Sequence, residues 1–155
     1  SKYIDWALSV TSLTHLQHRP LHTLSGGERQ RAWIAMSIAQ TPNILLLDEP
    51  TSYLDICHQL EVMELVKELN RSLGITIIMV LHDLNQAARY SNRIIAMKNG
   101  KVVRQGKPAE VYNCDFFREV FSIEAKVHMD GDSPICDPCG LVNCTQTTTL
   151  EWSVK

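Results

Sequence analysis

The 155-residue chain lacks most of what would place it outside the globular proteins. Its longest apolar stretches, Ile44 to Leu47 and Ile75 to Leu81, fall far below the roughly 20 residues that cross a bilayer as a helix, so no helical span is expected. Excess charge is missing too: 15 basic side chains stand against 17 acidic ones, and a net charge of −2 offers no electrostatic footprint for nucleic acid. Low-complexity tracts and internal repeats are absent, which removes the disordered and fibrous classes. The first residues, Ser1-Lys2-Tyr3-Ile4-Asp5-Trp6, do not follow the basic, apolar, small order of a secretory signal. Five cysteines are an odd number, with Cys136, Cys139 and Cys144 gathered near the C-terminus, unlike the disulfide framework of a secreted domain. The expectation is a globular protein with reduced thiols in a cytoplasmic setting. The chain also opens without a methionine in the middle of a helical pattern, and so reads as a portion of something longer.

What is present alternates between two periodicities. A short helix and a polar loop lead to Leu24-Ser25-Gly26-Gly27-Glu28, which opens an amphipathic helix to Gln40 with Ser25 near its N-terminus and Trp33, Ile34, Met36, Ile38 and Ala39 as the apolar set. Ile44-Leu45-Leu46-Leu47 is a continuous apolar run and predicts a strand buried on both faces, ending on Asp48-Glu49-Pro50. Between Asp55 and Gly74, Ile56, Leu60, Met63, Val66, Leu69 and Leu73 recur at helical steps, and Ile75 to Leu81 predicts a second buried strand. Asp83 can cap a helix running to Tyr90. Arg93 to Met97 reads as a third strand, returning through an Asn99-Gly100 type I′ turn into Lys101 to Gln105. From Pro108 one or two helices can bury Val111, Phe116, Phe117, Val120 and Phe121, and Glu124 to Met129 suggests a further strand. The strand-helix alternation argues an α/β protein with a mostly parallel sheet and crossover helices.

Two places carry chemistry. Asp48 and Glu49 follow a buried strand, at the carboxyl edge where open α/β folds bind ligands, and His82 ends the next strand at that edge. An Asp there can hold Mg²⁺, and a neighbouring Glu can orient or deprotonate a water. Ser25-Gly26-Gly27 opens a helix, where free N–H groups, the dipole and a hydroxyl suit an anion.

Taken together these segments resemble the ABC-type ATPases. Leu24-Ser25-Gly26-Gly27-Glu28-Arg29-Gln30-Arg31 is similar to their signature motif, Ile44 to Pro50 to their Walker B strand, Ser52-Tyr53-Leu54-Asp55 to their D-loop, and His82 to their switch histidine. The resemblance runs from Ser1 to about Val127; Arg31 to Met36 and Gly106 to Val111 resemble the iron-siderophore, haem and cobalamin importer branch. It implies a partial P-loop NTPase fold with the first strands and the phosphate loop missing. On that pattern residues 1–40 form the end of a helical subdomain, 41–121 part of the catalytic core, and 122–155 a C-terminal extension. The implied roles are Asp48 to Mg²⁺, Glu49 to the attacking water as base, and His82 to the γ-phosphate and that water. Ser25, Gly26, Gly27 and Glu28 would meet the ATP of a partner subunit in trans, and Asp55 would act across the dimer interface. Glu28 stands where a Gln is common. The implied partners are a second ATP-binding subunit, membrane permease subunits and, indirectly, an extracytoplasmic substrate-binding protein, with no nucleic acid; the implied location is the inner face of the cell membrane.

One element of that pattern is absent. No Gly-x-x-x-x-Gly-Lys-Ser/Thr occurs, and Gly100 to Lys107 has five residues between its glycines, then Pro108, on an expected hairpin. The glutamine loop and the aromatic platform for adenine are missing as well. Alone, the chain is expected to be a poor ATPase and, with sheet edges and apolar faces uncovered, to self-associate or exchange strands. Only 23 positions separate Ser25 from Asp48 and 34 separate Asp48 from His82, which leaves no room for the insertions of soluble, non-transport ABC ATPases. A third alternative is a non-catalytic interaction module with a metal-binding tail. Cys136, Cys139 and Cys144 form a C-x₂-C-x₄-C run that could hold Zn²⁺ if Cys114 or His128 supplied a fourth ligand, against a solvated, reduced tail. His15, His18 and His22 are spaced for a helical metal site, but Pro20 interrupts them and favours solvated loop histidines.

Overall fold

The computed structural model describes residues 1–142. The chain divides into two compact units, Ser1–His82 and the residues from Asp83 onward, each with its own core, in place of the single unit that length alone suggests.

The first unit begins with helix α1 (Lys2–Val10), which ends where the Thr11 hydroxyl donates to the Ala7 carbonyl at 2.8 Å. Two 3-10 turns, Thr14–Leu16 and Leu21–Thr23, lead to α2 (Gly26–Ile38). Strand β1 (Ile44–Asp48), helix α3 (Ile56–Leu73) and strand β2 (Thr76–Val80) form the expected strand-helix-strand crossover. β1 and β2 pair in parallel, Ile44 opposite Thr76 through Asp48 opposite Val80. Gly74 closes α3 in the left-handed conformation at φ 65°, which a glycine adopts at no steric cost.

The strands depart from expectation in one respect. Leu45 is buried, and Leu47, Ile77 and Met79 pack on the core built by Ile34 and Ile38 of α2 and Val62, Val66 and Leu69 of α3. Ile44, Leu46, Ile78 and Val80, however, are 58%, 70%, 52% and 52% exposed. Successive strand side chains point to opposite faces, and α2 and α3 cover one of them. The helical stripes shift for a similar reason. Trp33 and Met36 of α2 are exposed while Gly27, Ile34, Ala35 and Ile38 are buried; in α3 the stripe holds at Met63, Val66 and Leu69, gains Val62, and fails at Ile56, Leu60 and Leu73.

In the second unit α4 (Leu84–Tyr90) is capped by Asp83, whose carboxylate accepts from the Asn85 and Gln86 amides at 2.8 Å. Strands β3 (Ile94–Lys98) and β4 (Lys101–Gly106) form an antiparallel hairpin; Asn99 and Gly100 both have positive φ, 51° and 73°, as a type I′ turn requires. The third strand of the expected alternation thus pairs with its sequence neighbour. Helices α5 (Pro108–Val111) and α6 (Cys114–Phe121) follow, and β5 (Ile123–Asp130) pairs antiparallel with β6 (Ser133–Leu141). Tyr112, Phe116 and Phe117 form the centre of this core, with ring centroids 5.0 to 5.5 Å apart.

Strand β6 corrects the reading of a solvated cysteine tail. Cys136 is buried in the core and its backbone is held by Asn85, whose side chain accepts from Cys136 N at 2.8 Å and donates to its carbonyl at 3.2 Å. Burial pushes the Cys136 thiol up, whereas Cys139 is exposed. Among the described residues no group of three His, Cys, Asp or Glu side chains could hold a metal ion, and Cys144 lies outside them. Cys114 is exposed, and His128 is 3.3 Å from Asp137.

Candidate nucleotide-hydrolysis site

The parallel pairing of β1 with β2 delivers three polar groups to one edge. Asp48 ends β1 opposite Val80, and the Glu49 amide donates to the Val80 carbonyl at 3.1 Å, carrying the ladder one residue further. The chain then turns sharply: Glu49 has φ 48°, Pro50 is buried, and the Ser52 amide donates to the Glu49 carbonyl at 3.1 Å. A non-glycine residue in the left-handed region costs of order 1 to 3 kcal/mol and persists where its surroundings fix it. Here the side chain is held at both oxygens. Ser52 Oγ donates to Oε2 at 2.9 Å, and His82 Nε2, brought in by β2, lies 2.6 Å from Oε1.

An ionised carboxylate only accepts, so in this contact the His82 Nε2 carries the hydrogen. The His82 hydrogen bond, seconded by Ser52, holds the Glu49 carboxyl below its ordinary range. Asp48, exposed beside it, has the hard oxygen donors that suit Mg²⁺ with water completing the shell. Glu49 and His82 are therefore in contact, and Asp48 stands one residue before Glu49 at the end of β1. Ser52, only a letter of the D-loop resemblance in the sequence, is a direct partner of Glu49; a hydroxyl three residues after Glu49, across the turn at Pro50, was the signal for it.

The Gly-rich segment is a second cluster in the same unit. Ser25 caps α2: its hydroxyl accepts from the Glu28 amide at 3.3 Å, and the Glu28 carboxylate accepts from the Ser25 amide at 2.8 Å. Hydrogen bonding to its carboxylate from the Ser25 backbone amide, foremost, and from the Ser25 side chain lowers the Glu28 carboxyl. The carboxylate that replaces the common Gln is thus taken up by the helix cap, while Ser25 and Gly26 are exposed. Asp55 caps α3 through the His58 amide at 3.0 Å and stands 2.8 Å from His58 Nδ1, contacts that lower its carboxyl. His58, which the sequence reading passed over, also lies against Gly27. A separate apolar cleft of about 290 Å³, lined by residues including Leu8, Leu13, Leu21 and Met36, contains none of these groups.

Acids and an imidazole at the carboxyl edge of parallel strands stand where open α/β folds bind ligands, and comparison with known proteins narrows the fold to P-loop NTPases of the cassette type. The chain is 57% identical to the petrobactin import ATP-binding protein FpuC of Bacillus anthracis over 155 residues, covering 97% of this chain and 57% of that protein. It is 48% identical to the iron(3+)-hydroxamate import ATP-binding protein FhuC of Bacillus subtilis (strain 168), covering 87% and 51%. Among solved structures, a metal-chelate type ABC transporter in an inward-facing conformation matches with a TM-score of 0.79 at 28% identity, covering 90% of this chain and 56% of that one. The family profile described as ABC transporter matches residues 1–52. The chain belongs to the ATP-binding subunits of ABC transporters. It spans about half the length of the curated relatives it matches.

Proposed function

We propose that this chain supplies the Mg²⁺-binding and water-activating part of an ATP-hydrolysing site in the ATP-binding subunit of an ABC importer for iron(III)-siderophores or a related metal chelate. The observation that carries this reading is the Glu49 carboxylate fixed between His82 Nε2 at 2.6 Å and Ser52 Oγ at 2.9 Å at the end of β1. Both contacts leave lone pairs on Glu49, which can therefore still accept a proton from a water. His82 is 73% exposed at its side chain and can reach both that water and the outermost phosphate. Mg²⁺, held by Asp48, would supply charge neutralisation at the phosphates. Ser25 through Glu28 present the α2 N-terminus to the nucleotide of a partner subunit, and Asp55 faces the same interface. The relatives, import ATP-binding proteins for petrobactin and iron(3+)-hydroxamate, support the substrate class; the same reading has the subunit work as a homodimer docked on permease subunits at the inner membrane face, with an extracytoplasmic binding protein as indirect partner. No helix among the described residues is long and apolar enough to cross a membrane.

The test joins this chain to the part of the petrobactin relative that it does not match. The chimera is expected to hydrolyse ATP with Mg²⁺ and Glu49→Gln to slow it at least ~100-fold, the lower end of what a positioned general base contributes. The chain alone, titrated calorimetrically with ATP and Mg²⁺, is expected to show no binding up to millimolar nucleotide. A chimera that binds MgATP and turns over equally with Glu49→Gln overturns the reading.

A further inference from the structure

We propose that His58 is a positioning residue that couples the Asp55 carboxylate to the Ser25–Glu28 turn, so that displacement of Asp55 is transmitted to the Gly27 backbone. Gly27 is buried at the start of α2 and does not have the positive φ that would demand glycine. What demands it is proximity. A Cβ at Gly27 would stand 2.9 Å from His58 Cγ and closer still to Cδ2, an approach that real Cβ atoms essentially never make. The Cδ2–Cγ side of the imidazole therefore packs directly against Gly27. Its Nδ1 is tied to Asp55 Oδ1 at 2.8 Å, and the same oxygen accepts the His58 amide at 3.0 Å. Because the ionised carboxylate only accepts, Nδ1 carries the hydrogen, which fixes the tautomer and the plane of the ring.

Two flanking contacts keep the starts of α2 and α3 in register. A Cβ at Gly26 would meet Leu54 Cδ2 at 3.3 Å, and further along both helices Arg31 pairs with Glu61 at 2.5 Å. Close-packed groups with no intervening space transmit displacement instead of absorbing it. A movement of Asp55 that turns the ring must then move the Gly27 amide. The functional meaning of this coupling rests on the proposed roles of Ser25–Glu28 at nucleotide and Asp55 at the interface; the coupling itself does not.

The experiment follows the amide resonances of Gly26, Gly27 and Glu28 in the ¹⁵N-labelled chain. Asp55→Asn is expected to shift Gly27 by more than a linewidth, to lose that effect when combined with His58→Ala, and to regain part of it with His58→Gln, which keeps a donor within reach of residue 55. Independently, Gly27→Ala is expected to lower Tm in the native chain and to be better tolerated beside His58→Ala. An Asp55→Asn shift that persists without His58, or Gly27→Ala equally harmful in both backgrounds, overturns the inference. These samples hold no nucleotide, so that outcome leaves the hydrolysis reading standing; an inactive chimera overturns the hydrolysis reading and leaves the coupling standing.

Discussion

The unit ending at His82 is mainly helical with two short strands, whereas the described part of the unit beginning at Asp83 has three short helices and four strands, and the two place their polar groups differently. In the first, Ser25, Asp48, Asp55 and His82 are exposed at helix starts and strand ends, and the sheet face with Ile44, Leu46, Ile78 and Val80 is uncovered. In the second, both strand pairs are antiparallel hairpins and Tyr112, Phe116 and Phe117 fill the centre. Hairpins pair sequence neighbours through a short turn, whereas a parallel pair needs a crossover, here α3, which packs on one face of the sheet. Each unit has its own core, and the parallel one in addition brings Glu49 and His82 together at a strand end.

Core truncations should separate the two units most strongly. Phe117→Ala removes a fully buried ring and is expected to cost about 3 to 5 kcal/mol, Met63→Ala about 2 to 5 kcal/mol. In amide hydrogen exchange each should strip protection chiefly from its own unit; equal loss in both would erase the distinction.

Acid should discriminate next. Glu28, Glu49, Asp55 and Glu68 in the first unit are held below their ordinary range by hydrogen bonds, foremost from Ser25, His82, His58 and Ser72 respectively, against Glu124, held by Arg118, in the second. A carboxyl with a depressed folded-state pKa adds stability above its unfolded value, about 4, and loses it as pH falls through the folded value. With four such carboxyls against one, acidification is therefore expected to remove more exchange protection in the first turns of α2 and α3 than around α6. The reverse would contradict the assignment of those caps.

The smallest effect on stability is expected at the bare sheet face. Leu46→Ser and Ile78→Ser should change unfolding free energy by less than about 0.5 kcal/mol each, as exposed substitutions usually do. They should nevertheless reduce concentration-dependent association in light scattering. A native chain that stays monomeric at every concentration removes the basis for that expectation.

Much of this was legible without coordinates. The Ser25 cap, the order of strand, helix and strand through β1, α3 and β2, the Asp83 cap, the Asn99-Gly100 turn and the places of Asp48, Glu49 and His82 just after apolar runs all follow from local rules: periodicity, capping chemistry and turn chemistry. An apolar run does not encode how many sheet faces are covered: the sequence of Ile44 to Leu47 is the same for one face or both, and here Ile44 and Leu46 are exposed. Strand β6 went unseen since Ser133-Pro134-Ile135-Cys136-Asp137-Pro138-Cys139 has neither clean alternation nor β-branched density, and only pairing with β5 makes it extended.

The sequence by itself determined which residue types stand at which strand ends and helix starts, since those depend on neighbours three or four positions away. Tertiary structure alone decided that Glu49 is held from both sides, that Cys136 faces a core, and that the His58 ring lies on Gly27. Each of these joins residues through contacts whose geometry depends on how separate elements pack or how a turn closes, and one-dimensional spacing does not encode that distance.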